Sequence, residues 1–275
     1  MKQQVFNPYL PSWEYIPDGE PYVFGDRVYV YGSHDSFGAP IFCVKDYVCW
    51  SAPVTDLSDW RYEGVIYRKN QDPSNKLGIR CLYAPDVTQG PDGRYYLYYA
   101  FDFMGEMGVA VCDTPAGKYE FYGHVHFKDG HVWGKKSGEP FPFDPGILVD
   151  DDKRVYLYSG FATKVPAVAS RGRNLTNEGG VVLELEQDMI TIKSGPELLF
   201  PTKGKKGAFQ DHAFFEEDPE FVVTSDQLIE LNYLDELSTD DDVCEGYVII
   251  HNDAVYEYEP FIRCNEYTTK NYQEQ

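Results

Sequence analysis

Three acids stand beside a proline at the head of a short apolar strand: Glu20-Pro21, Pro85-Asp86 and Asp144-Pro145. Proline fixes φ and removes a backbone donor, which suits a strand entrance. Carboxylates drawn together repel, so water, a proton or a bound partner must offset the charge. Acid–base chemistry uses such groups, and three acids recurring in one pattern form a candidate site.

Each acid opens a similar passage. Glu20 leads into Tyr22-Val23-Phe24, a turn at Gly25-Asp26, and Arg27-Val28-Tyr29-Val30-Tyr31. Asp86 leads through Asp92-Gly93 to Arg94-Tyr95-Tyr96-Leu97-Tyr98-Tyr99, and Asp144 through Asp150 to Asp152 to Arg154-Val155-Tyr156-Leu157-Tyr158. Gly and Asp tolerate the positive φ of tight turns, so each passage is a predicted β-hairpin. The three arginines are spaced 67 and 60 residues apart. That interval suits a four-stranded sheet with its loops, the blade of a β-propeller. No stripe of period 3.6 lasts three turns, so the fold class is all-β. In a propeller the innermost strands start near one axis, and acids at equivalent repeat positions converge there.

A fourth unit begins at Ala208-Phe209-Gln210-Asp211-His212-Ala213-Phe214-Phe215-Glu216, after which the Arg-bearing signature does not return. Residues 1–216 are therefore read as propeller blades 1–3 and the start of blade 4. Residues 217–275 are a divergent acidic part, expected to form the remaining strands of the same domain. Residues 1–210 hold 22 basic and 27 acidic side chains, whereas 211–275 hold 2 and 18. A shifted reading frame or a truncation past Glu216 would account for both the lost repeat and the swing in charge.

The whole chain of 275 residues has a net charge of −21, a sign that disfavours nucleic acid and anionic lipid as partners. Aromatic residues at 16% exclude a disordered or coiled-coil chain. No apolar run suits a signal peptide or a membrane span, and a cytoplasmic location is expected. The six cysteines form no C-x-x-C pair, so reduced, mostly buried thiols are expected and zinc is not. His124, His126 and His131 lack ligand spacing, Asp150 to Asp152 lack a calcium-loop pattern, and both groups are expected on loop surface.

Asn7-Pro8, Glu20-Pro21, Arg27 to Asp35, Tyr83-Ala84-Pro85-Asp86-Val87 and His212-Ala213-Phe214-Phe215-Glu216, in this order, resemble the family-43 glycoside hydrolases. The resemblance covers roughly residues 5–216. It implies a five-bladed β-propeller that cleaves arabinose- and xylose-containing oligosaccharides with inversion. It also implies a general base at Glu20, an orienting acid at Asp86 and a general acid at Glu216. The family has Asp where this chain has Glu20, and Asp18, two residues earlier, is the reserve candidate for the base. No cofactor is required by the chemistry, and the resemblance allows a bound cation at the propeller axis. The rival reading is a propeller that binds glycan or protein without turning it over.

Inversion needs a protonated acid at the leaving oxygen and a carboxylate on the opposite sugar face, about 6.5–9.5 Å away. Sugar binding needs flat apolar faces, for which Trp13, Trp50, Tyr83, Phe101 and Trp133 are candidates, with Trp13 and Tyr83 preferred because they flank the acids. His34, Asp35, Asp144 and His212 are read as further contacts to substrate.

Overall fold

The computed structural model describes residues 9–101, 105–160, 172–201, 220–226, 244–253, 255–265, 268–270 and 272. The first compact unit is Met1–Phe200 and the second Pro201–Gln275.

In the first unit, strands β1 (Glu20–Phe24), β2 (Arg27–Tyr31), β3 (Tyr47–Pro53) and β4 (Arg61–Tyr67) pair in chain order as an antiparallel meander. Strands β5 (Leu82–Gln89), β6 (Tyr95–Phe101), β7 (Met107–Cys112) and β8 (Glu120–His124) repeat the plan. A third sheet joins β10 (Pro145–Val149), β11 (Val155–Ser159), β12 (Gly179–Leu185) and β13 (Thr191–Pro201), with β9 (His126–Phe127) added in parallel on β13. These are the predicted blades. Each opens with its predicted hairpin, closed at Gly25 (φ 64°), Gly93 (φ 85°) and Lys153 (φ 68°).

The middle strands β3 and β6 are buried along nearly their whole length. Sheets stacked face to face leave neither side of such strands in water, which explains their continuous aromatic and β-branched sequences. Tyr31, Tyr47, Tyr67, Leu97 and Tyr99 fill the layer between the first two blades, and Tyr98, Trp133, Val155, Leu157 and Leu183 a second layer. A tyrosine core must satisfy its hydroxyls. Tyr31 donates to the Pro115 carbonyl at 2.7 Å, and Tyr99 to Asp72 at 2.7 Å.

The second unit carries β14 (Glu220–Thr224), β15 (Glu245–Asp253) and β16 (Val255–Arg263) in one antiparallel sheet. Its register pairs Glu245 with Arg263, so Cys244 and Cys264 stand opposite each other just beyond, and they form a disulfide. This corrects the expectation of reduced thiols throughout. Sequence spacing carried no sign of the bond, because strand register creates it. Cys43, Cys49 and Cys81 are buried and outside any disulfide.

The histidines also depart from expectation. His124 ends β8 and its Nε2 lies 3.0 Å from the buried Asp72, while His131 pairs with Glu139 at 2.6 Å. His126 lies in β9, where its Nδ1 faces the His124 carbonyl at 2.9 Å. All three are half-buried and bonded, because the chain crossing from β8 to β10 folds back over the blade instead of running through solvent.

Candidate active site

Strand register decides which acids are equivalent. Counted outward from the hairpin turns, Glu20 and Asp86 occupy matching positions, whereas Asp18 and Asp144 match each other about two residues further out. The expectation that Glu20, Asp86 and Asp144 share one repeat position is thereby corrected. Proximity to proline marked the strand entrance without fixing the register.

The acids accordingly gather as two pairs. Asp144 is half-buried, and burial first and the charge of Asp18 second push its carboxyl up from 3.8 to about 6. Both residues adopt the left-handed backbone region, with φ of 54° at Asp18 and 44° at Asp144. Such conformations cost energy in any residue with a side chain and cluster where a site dictates geometry. Asp18 is exposed, and its Oδ2 accepts a hydrogen bond from the buried Ser33 hydroxyl at 3.3 Å.

The second pair lies deeper along the strands. Asp86 is buried and fully occupied: Oδ1 accepts from the Tyr22 hydroxyl at 2.6 Å and the Val87 amide at 2.7 Å, and Oδ2 from the Ile147 amide at 2.6 Å. One carboxylate thus ties β1, β5 and β10 together. Burial raises Asp86 to about 6 against these bonds, and the nearby charge of exposed Glu20 adds to the rise.

An aromatic wall adjoins Asp144. Phe143 packs on Tyr83 with centroids 5.3 Å apart, and Phe42 meets Tyr83 edge-on at 5.6 Å. Ser159 pins the backbone beside Asp144, its hydroxyl donating to the Phe143 carbonyl at 2.6 Å and accepting the Phe143 amide at 3.0 Å. The Tyr47 hydroxyl donates to the Tyr83 carbonyl, and the Asp35 carboxylate accepts the Cys43 amide. Burial pushes the Cys43 thiol up to about 11.

Of the other candidates, Trp13 is 62% exposed and packs on Trp50 at 6.0 Å. Trp50, Phe101 and Trp133 are buried in the core. His34 is buried with both ring nitrogens engaged, and Asp35 is spent on backbone. His212 and Glu216 lie outside the described residues. Sequence reasoning missed Ser33 and Tyr22 as partners of the acids. Each lies inside a quoted strand motif, but only the packing of neighbouring strands reveals its partner.

Among the described residues no group of three His, Cys, Asp or Glu side chains is disposed to hold a metal ion, so the axial cation finds no ligand set there. Nor is any helix among them long and apolar enough to cross a membrane. A surface cavity lined by Glu139, Thr176, Glu178 and Leu198 contains none of the paired acids.

Successive antiparallel meanders, each opening on a hairpin with an acid at its entrance, are the blades of a β-propeller. Residues 15–228 match the glycosyl hydrolases family 43, and the chain belongs to that family. It is 55% identical over 218 residues to a xylosidase/arabinosidase of Thermoclostridium stercorarium, covering 78% of this chain and 44% of that protein. It is 29% identical over 164 residues to xylosidase/arabinosidase 43A of Humicola insolens, covering 53% of this chain and 43% of that one. The chain thus spans less than half the length of these two relatives. Among solved structures, a family-43 β-xylosidase/α-arabinofuranosidase from a compost microbial metagenome, in complex with xylotriose and in calcium-free form, aligns with a TM-score of 0.52 at 20% identity. That alignment covers 94% of this chain and 80% of the other. The neighbours' fold is the five-bladed β-propeller, and the meander sheets of this chain are its blades.

Proposed function

We propose that the protein is a glycosidase that hydrolyses xylose- or arabinose-containing oligosaccharides with inversion, using Asp18 as general base, Asp144 as the acid that tunes the site, and Glu216 as general acid. The observation that carries this reading is the pairing of Asp18 with Asp144 at the outer ends of their strands, in a chain 55% identical to a xylosidase/arabinosidase. Glu20 and Asp86 are assigned away from catalysis. Asp86 has its oxygens filled by three internal donors, and Glu20 faces Asp86 instead of the Asp18 pair.

The roles of Asp18 and Asp144 follow from these placements, and that of Glu216, outside the described residues, from the family resemblance. Asp18 is exposed to the water it must activate and is oriented by Ser33. The Glu216 carboxyl protonates the leaving oxygen, and water attacks from the opposite face of the sugar. Asp144, half-buried beside Asp18, sets the local charge that keeps one proton in the site near neutrality. The half-buried Tyr83 ring, seated on Phe143, offers an apolar face for a pentose. Family membership and the close relative favour turnover over binding alone.

The test is hydrolysis of aryl arabinofuranoside and aryl xyloside by the wild type and by Asp18→Asn, Asp144→Asn and Glu216→Gln. Proton NMR of the first product gives the anomeric outcome. Loss of turnover in all three variants, with an inverted product, is expected. Turnover that survives Asp18→Asn refutes the assignment of the base.

A further inference from the structure

Glu14 lies four residues before Asp18, and its side chain is only 2% exposed. Its carboxylate serves two partners at once. Oε1 lies 2.8 Å from His34 Nε2, and Oε2 accepts the Trp50 indole N–H at 2.9 Å. The other ring nitrogen of His34 faces the Asp46 carbonyl at 2.8 Å. Both nitrogens therefore lie within hydrogen-bond reach of an oxygen, and the Glu14 carboxylate joins the imidazole to the indole. A buried carboxylate and a buried imidazole would each be costly alone, which makes the pair obligatory once either is present.

Backbone contacts extend this junction in both directions. The Asp35 amide donates to the Tyr15 carbonyl at 2.9 Å, and the Lys45 amide to the His34 carbonyl at 3.0 Å. Next to His34, Ser33 is the donor that holds Asp18. The chain between the two anchors runs close over the end of β2. A Cβ at Gly32 would stand 2.8 Å from the Pro17 carbonyl oxygen and 3.2 Å from the Gly19 Cα, so only glycine admits this crossing. Pro17 removes a torsional freedom from the same span.

We propose that Glu14, paired with His34 and Trp50, is a positioning residue: it clamps the segment carrying Asp18 to the first blade and so fixes where the attacking water is held. Glu14 touches no substrate in this scheme and acts through the Ser33–Asp18 contact. The proposal rests on the reading of Asp18 as the base. Carboxylate placement matters steeply, since a displacement on the order of 1 Å costs up to about 100-fold in rate.

The experiment has two separate arms. Asp18→Asn, assayed with and without azide, tests the base by itself. Azide that restores turnover supports the assignment, and wild-type turnover in Asp18→Asn without azide overturns it. Glu14→Gln, His34→Ala, His34→Gln and the milder Trp50→Phe test the clamp. Gln at position 34 keeps a donor for Glu14, whereas Ala does not. The expected result is a fall in kcat of about 10- to 100-fold for Glu14→Gln and His34→Ala, with KM within about twofold, partial recovery in His34→Gln and no rescue by azide. The double variant Glu14→Gln/His34→Ala should be no slower than the worse single one, because both break the same junction. Asp72→Asn, which disturbs a buried carboxylate elsewhere, controls for lost stability at matched melting temperature. A kcat unchanged in the clamp variants, or lowered no more than in that control, overturns the proposal. Should Glu14→Gln fail to fold, Trp50→Phe and His34→Gln decide by the same criteria.

Discussion

Replacing Asp144 by Asn removes the titrating charge that faces Asp18 while preserving the shape of the side chain. Burial and the Asp18 charge lift Asp144 from 3.8 to about 6. With Asp144 only half-buried, solvent screening reduces the corresponding difference between its charged and neutral forms to about 1–2 kcal/mol. In the wild type the acid limb of kcat/KM should therefore fall near pH 6, where Asp144 titrates. In Asp144→Asn that titrating carboxyl is gone, so the limb near pH 6 should be lost. The maximal rate should drop by about 100-fold or more, because the proton inventory of the site is altered. Stability provides a second reading with a fixed sign. A folded-state value above the unfolded one contributes stability that is full below pH 3.8 and lost as pH rises through about 6. Asp144→Asn should flatten that part of the stability curve. The assay is initial-rate kinetics on an aryl pentoside from pH 4 to 9, with denaturant melts at the same pH values. A limb that stays near pH 6 in Asp144→Asn, or one that moves instead in Asp86→Asn, refutes the reasoning and returns the chemistry to the Glu20–Asp86 pair.

Asp86→Asn should leave the acid limb in place but lower stability by about 3 kcal/mol, since an amide cannot accept from three donors and leaves at least one buried N–H or O–H unpaired. Thermal denaturation followed by circular dichroism checks this. Asp72 is held down to about 2, with burial opposing the His124, Tyr99 and Ser74 hydrogen bonds that win. Its contribution is full above pH 3.8 and lost as pH falls toward 2, so Asp72→Asn should destabilise by about 2 kcal/mol at pH 7 and progressively less in acid, as read from urea midpoints. Trp13→Ala removes an exposed ring and should raise KM for a xylo-oligosaccharide several-fold with kcat nearly unchanged. Cys43, buried and pushed up to about 11, should resist iodoacetamide at pH 8 in the native protein and react once unfolded, as mass spectrometry of the alkylated chain reports.

Much of the fold is legible in the letters. Gly25-Asp26, Asp92-Gly93 and Asp150 to Asp152 announce the hairpins through residues that suit tight turns, although in the third the positive φ falls on Lys153, and Tyr- and Val-rich runs such as Tyr95 to Phe101 announce strands buried on both faces. The segment that houses the site was legible too, since Asp18 to Pro21 and Asp144-Pro145 mark strand entrances. The cysteine pair was not, because residues twenty apart become neighbours only when a hairpin sets their register.

Which acids come near one another was decided by tertiary structure. Local sequence fixes torsion preferences and the alternation of faces, both of which are properties of a few consecutive residues. Which carboxylate meets which depends on the offset between strands in different blades. A two-residue difference at the entrance to β1 separates Asp18, whose charge acts on Asp144, from Glu20, whose charge acts on Asp86. Likewise, Glu14 looks like an ordinary surface acid until His34 and Trp50 are folded around it. Such contacts form only when segments distant along the chain pack together and exclude water, so their energies have no counterpart in any short stretch of it.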